Sequence, residues 1–139
     1  MLQKKLFIIA VLIAVLVPAL ASAENDFIGR WWRMPATASK LTLTETEKLK
    51  LDQLYQINRK NLIDMKAAVD KERFILEDIL NKEPFNEAKV KEQFQKLEKR
   101  RAILSEERFR YVLEVRKLLG AERFKKLTVM AEEQWRGRR

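Results

Sequence analysis

From Asn86 to Leu119 the chain keeps its longest unbroken apolar rhythm. Val90, Phe94, Leu97, Leu104, Tyr111, Val115 and Leu118 recur at steps of four and three, with Arg101 and Arg108 on the two vacant beats. Residues at that spacing form one stripe of an α-helix. At about 1.5 Å rise per residue the helix would be roughly 50 Å long. A chain of 139 residues cannot bury so long a stripe inside a compact globule, so the helix needs a partner of equal length.

The partner is predicted just upstream. In Leu43-Thr44-Glu45-Thr46-Glu47, Thr44 can accept from the open amides of a helix start, and Glu47, three residues on, can reach back to the amide of Thr44. That is a capping box. A helix from it to about Leu80 carries Leu51, Leu54, Tyr55, Leu62, Met65, Val69, Leu76, Ile79 and Leu80 on one face, interrupted by Asn58 and Glu72. Between the two rods, Pro84 disfavours helical geometry at Glu83, and Asn86 followed by Glu87 suits a new helix start. The predicted fold is all-α: a long antiparallel helical hairpin with short N-terminal and C-terminal helices. The register expected of this turn sets Leu76 by Phe94, Met65 by Leu104 and Leu51 by Leu118, and brings Glu72 within a turn of Arg101 as a buried ion pair. Gly120 is placed to end the second rod in the left-handed conformation, and a last helix runs from Ala121 to about Trp135.

Residues 1–23 read as an export leader rather than as part of the fold. Lys4 and Lys5 precede an apolar run from Leu6 to Leu20, broken by Pro18, and Ala21-Ser22-Ala23 offers small residues for cleavage after Ala23. The run is short for a membrane span, although an uncleaved anchor is the alternative. No cysteine follows it to take a lipid. The remaining organisation is a 24–43 arm, a 44–135 hairpin domain and a basic 136–139 tail. In the arm, Phe27, Trp31, Trp32 and Met34 stand among Gly29, Arg30 and Arg33, and Pro35 can open a short helix through Lys40. Those rings either pack on the helices as a lid or meet membrane headgroups or an apolar patch of a client protein.

The formal charge is +9, and the leader holds two lysines and no acid, so the exported chain would carry +7. An exported protein does not routinely meet nucleic acid, which leaves anionic membrane surfaces, negatively charged clients or simple solubility. With no histidine and no cysteine, Ser-His and Cys-His nucleophilic sites, disulfides and the ordinary zinc and copper ligand sets cannot be assembled. The carboxylates of Glu45, Glu47, Asp52, Glu92, Glu98, Glu106 and Glu107 alternate with lysine and arginine as on solvated helix faces. Three glycines leave no room for a phosphate-cradling loop. The chain therefore reads as a protein without catalytic residues, cofactor or metal.

What remains is apolar surface beyond the needs of one seam. Leu49, Ile63, Ala67 and Phe74 lie roughly opposite the main stripe of the first rod, and Ala102, Phe109 and Leu113 form a second stripe on the other. Either the last helix or a second subunit covers them, or they form a client surface within a basic rim.

These residues carry a resemblance. Leu43-Thr44-x-x-Glu47 is similar to the Leu-Thr-x-x-Gln (LTXXQ) motif of the Spy/CpxP family of periplasmic stress-response chaperones. Leu119-Gly120-Ala121-Glu122-Arg123 sits where that family's second copy would be, and Glu83-Pro84-Phe85-Asn86 resembles its turn. Glu47 stands in place of the glutamine, and Gly120 and Arg123 depart from the second copy. The resemblance spans about 31–134 and implies a cradle-shaped, coiled-coil-like antiparallel dimer that holds unfolded or aggregation-prone envelope proteins in the periplasm without ATP. Trp31 and Trp32 join the apolar stripes as candidate client or dimer surface. The alternative it implies is an adaptor that binds the periplasmic domain of a sensor kinase in an envelope-stress or metal-responsive system. Related zinc-resistance and heavy-metal-sensor proteins use histidines that this chain lacks.

Overall fold

The computed structural model describes residues 29–137. The leader expected over 1–23, Phe27 of the arm, and Arg138 and Arg139 of the tail lie outside them. A 3-10 turn, Trp31–Arg33, is followed by α1 (Pro35–Lys40), α2 (Glu45–Leu80) and α3 (Glu87–Arg136), and no strand occurs among the described residues. The chain divides into two compact units, 29–58 with 108–137 and 59–107, and α2 and α3 pack against each other within each.

In the first unit the arm is part of the core. Trp31, Trp32, Leu41, Leu51, Tyr55, Tyr111, Val112, Val115, Leu119 and Leu127 form one buried cluster, with Leu43 and Leu118 packed partly against it. Trp32 has no exposed surface. Its ring meets Trp31 edge-on at 5.4 Å and Tyr55 at 5.6 Å, the geometry aromatic quadrupoles prefer. Its indole Nε1 donates to Asp52 Oδ1 at 2.8 Å, so the one polar atom of the ring is satisfied. Arg33 closes an ion pair on the same carboxylate. Asp52 therefore anchors the arm instead of decorating a solvated face, and the Arg33 guanidinium beside it, with the Trp32 donor, lowers its pKa.

Pro35 stands at the first position of α1, where its missing N–H costs nothing. That helix ends in a Schellman motif: Thr42 N–H donates to Ser39 O at 3.1 Å and Leu43 N–H to Ala38 O at 3.0 Å. Thr42 takes the left-handed position at φ 49, where glycine is usual. α2 begins three residues later at Glu45, so the end of α1 places Leu43 and Thr44 directly at the start of the long helix.

In the second unit Leu62 and Val69 of α2 and Leu97 and Leu104 of α3 are buried. Gln93 takes the next inward place: its Nε2 donates to the Glu72 backbone carbonyl at 3.1 Å and to Glu72 Oε2 at 2.6 Å. Asn61 Nδ2 donates to the buried Glu107 at 3.0 Å. Three expectations are corrected here. Phe94 is 50 % exposed, because one step of four back from Leu97 reaches Gln93, which faces α2 and donates from its amide to Glu72. Glu72 pairs with Gln93 and not with Arg101, which is exposed and bonded to Glu98 on its own helix. Glu107, expected on a solvated face, is buried with an amide partner. Between the two long helices, Asn86 caps α3 by accepting from Lys89 N–H at 3.1 Å.

Candidate functional surface

The motif-bearing residues meet in the first unit. Thr44 N–H donates to Glu47 Oε2 at 3.0 Å and Glu47 N–H donates to Thr44 Oγ1 at 3.1 Å, the two bonds of the capping box. Arg123 then grips the same carboxylate from α3, with Nη1 to Oε2 at 2.9 Å and Nη2 to Oε1 at 2.7 Å. The Arg123 guanidinium, helped by the Thr44 amide, holds the Glu47 carboxyl down at about 2, against an ordinary 4.5. Arg123 also donates from Nε to Leu119 O at 2.8 Å and from Nη2 to Leu118 O at 3.3 Å. Those are carbonyls that the break at Gly120 leaves without helical partners. Gly120 does have positive φ, as expected, but at φ 76 and ψ 174 it lies outside the left-handed helical region. That conformation belongs almost wholly to glycine.

Around this frame, apolar side chains stand in water on faces turned from the packed seams. In the second unit Ile63, Ala67 and Phe74 recur at four and seven along α2, and all three are exposed, Phe74 to 70 %. Phe94 and Ala102, eight residues apart on α3, are exposed too. In the first unit Leu49 and Ile57 of α2 and Phe109 and Leu113 of α3 are exposed. Leu54, Ile57 and Leu118 share a shallow open groove with Lys50 and Lys117. The residues expected to form surplus apolar surface are therefore at the surface of the single chain. Ile57 and Phe94 join them. Phe94 was missed because the heptad count assigned it to the seam. Ile57 lies well to one side of the main α2 face, a displacement readable from its spacing.

Trp31 and Trp32 do not belong to this surface. Both are buried, and the lid reading of the arm is the one the structure adopts. The physical reason is that two rings with an acceptor for Trp32 at Asp52 gain more by filling the core over Tyr55 than by standing in water.

The described residues hold no group of three or more acidic side chains placed to ligate a metal, and no helix among them is long and apolar enough to cross a membrane. Ion pairs along α2 and α3 such as Arg73 with Asp70 and Lys96 with Glu92 are exposed partners one turn apart, as on ordinary solvated helices. The described helices offer apolar and cationic surface. Neither a family model, nor a curated protein, nor a solved structure matches the chain.

Proposed function

We propose that this protein is an exported, ATP-independent holdase that binds unfolded or aggregation-prone envelope proteins in the periplasm. The observation that carries the reading is the apolar surface left in water on a helical framework, with Phe74 its most exposed large side chain. A folded chain gains nothing from 70 % exposure of a phenylalanine, whereas burying that ring on association removes apolar area at about 25 cal/mol per Å². Isolated exposed residues are ordinary; a run on one helix face, as at Ile63, Ala67 and Phe74, marks a contact surface. The net positive charge of the whole chain supports loose binding of acidic clients and keeps the complex soluble. The proposal includes the antiparallel hairpin and the cradle-like homodimer implied by the resemblance to the Spy/CpxP family. It assigns no enzymatic role and needs no cofactor.

Phe74→Gln and Phe109→Gln test this reading side by side, through thermal midpoint, oligomeric state and suppression of aggregation of an unrelated client. Retained fold with reduced suppression is the expected result. A fall in midpoint or loss of a dimer would instead assign the faces to subunit packing, and unchanged suppression in both variants would remove them from the client surface. Saturable binding to a single folded sensor domain, with no protection of unfolded chains, would favour the adaptor.

A further inference from the structure

The positive charge of the described chain is unevenly divided. Residues 29–58 and 108–137 hold 13 lysines and arginines against 7 acids, whereas 59–107 hold 12 against 11. Several cations of the first unit have anionic partners: Arg33 has Asp52, Lys48 has Glu45, Lys117 has Glu114 and Arg123 has Glu47. Lys40, Lys125 and Lys126 form no ion pair among the described residues, and all three line one open groove beside the exposed Val129 and the half-buried Met130. Glu122 and Glu133 line it as well. Neither Lys125 nor Lys126 lies in the last turn of α3, where the helix dipole would account for a cation.

We propose that this groove rests on anionic lipid headgroups and makes the first unit a peripheral membrane-contact surface. Lysines are compact charges on flexible stems, which suits laterally mobile headgroups. An acidic protein partner with fixed carboxylates would favour the two-pronged arginine fork instead. The lysine stems can lie along Val129 and Met130 while the ammonium groups reach the headgroup layer, and Val129 supplies apolar contact at its boundary. The net charge of the unit adds a longer-range attraction to a negative surface. The inference does not rest on client binding, and it moves membrane contact from the arm tryptophans, which are buried, to the end of α3.

The test is co-sedimentation of the protein, recovered as the cell processes it, with vesicles of phosphatidylcholine alone and of phosphatidylcholine mixed with phosphatidylglycerol. Binding should be stronger to the mixed vesicles and should weaken as salt is raised. Each lysine lost from the groove should weaken it about fivefold, since one basic residue near an anionic surface contributes about 1 kcal/mol. The double variant Lys125→Gln/Lys126→Gln should therefore lose most of the preference while its helical circular dichroism is unchanged. Lys99→Gln/Arg100→Gln, the same charge change in residues 59–107, should keep it. Equal loss in the two double variants would reduce the effect to total charge and overturn the proposal. So would equal binding to neutral and mixed vesicles, or binding to soluble poly-glutamate with none to vesicles, which would identify an acidic protein as the occupant.

Discussion

Arg123 closes a two-pronged ion pair on Glu47, a residue 76 positions earlier in the chain, while its Nε covers the Leu119 carbonyl. Glu47 is the fourth residue after Leu43 and Arg123 the fourth after Leu119, so corresponding positions of the two motif-like segments meet. In the fold they are complementary: an acid in one segment matches a base in the other, and the base repairs the helix end that Gly120 opens.

The clasp makes stability acid-sensitive with a defined sign. Because the Glu47 carboxyl is held at about 2 against an ordinary 4.5, its contribution is complete above about 4.5 and is lost as pH falls through about 2. With 21 % of the Glu47 side chain and 25 % of the Arg123 side chain in water, solvent screening limits that contribution to on the order of 1–2 kcal/mol. Urea denaturation across this pH window should show the loss in the wild type and a shallower one in Glu47→Gln, which keeps an acceptor for the Thr44 amide without the charge. The slope that remains should come partly from Asp52, whose pKa Arg33 lowers. Identical slopes in the two proteins would remove Glu47 from the acid response.

Gly120→Ala should cost about 1–3 kcal/mol. A Cβ there meets no atom within 4 Å, so the cost is conformational, arising from φ 76 with ψ 174. Chemical denaturation measures it. A neutral result would mean that α3 can run straight through residue 120.

Thr44→Ala leaves the Glu47 amide without its side-chain acceptor at 3.1 Å and should lower stability by about 1 kcal/mol. An unchanged denaturation midpoint would place the operative start of α2 elsewhere.

Trp32→Ala should be the most damaging of these changes, at about 3–5 kcal/mol, because it empties the centre of the first unit's core. Trp32→Phe keeps one ring but loses the rest of the indole together with the donor to Asp52, which still has Arg33, so its cost should be smaller, at about 1–3 kcal/mol. Thermal unfolding of the pair measures how much of the stability the remaining ring carries. Near-equal midpoints for the two variants would show that the ring itself contributes little.

What the sequence determined by itself is the local and periodic part of the protein. The helix start at Thr44, the short helix opened by Pro35, the cap at Asn86 and the interruption at Gly120 each follow from residue types acting on their own backbone neighbours. The apolar character of Leu51, Leu62, Val69, Leu97 and Leu104 marked the buried stripe for the same reason. Only the tertiary structure decided which of two adjacent beats faces inward. Gln93 goes in, where it donates to the carbonyl and carboxylate of Glu72 on another helix, and Phe94 stands out in water. It also decided that Trp31 and Trp32 are core and that Asp52 anchors the arm. It brought Glu47 to Arg123, and Lys40 to Lys125 and Lys126. Those outcomes depend on partners tens of residues away. A helical period carries the direction a side chain points and nothing about the chemistry it will meet there.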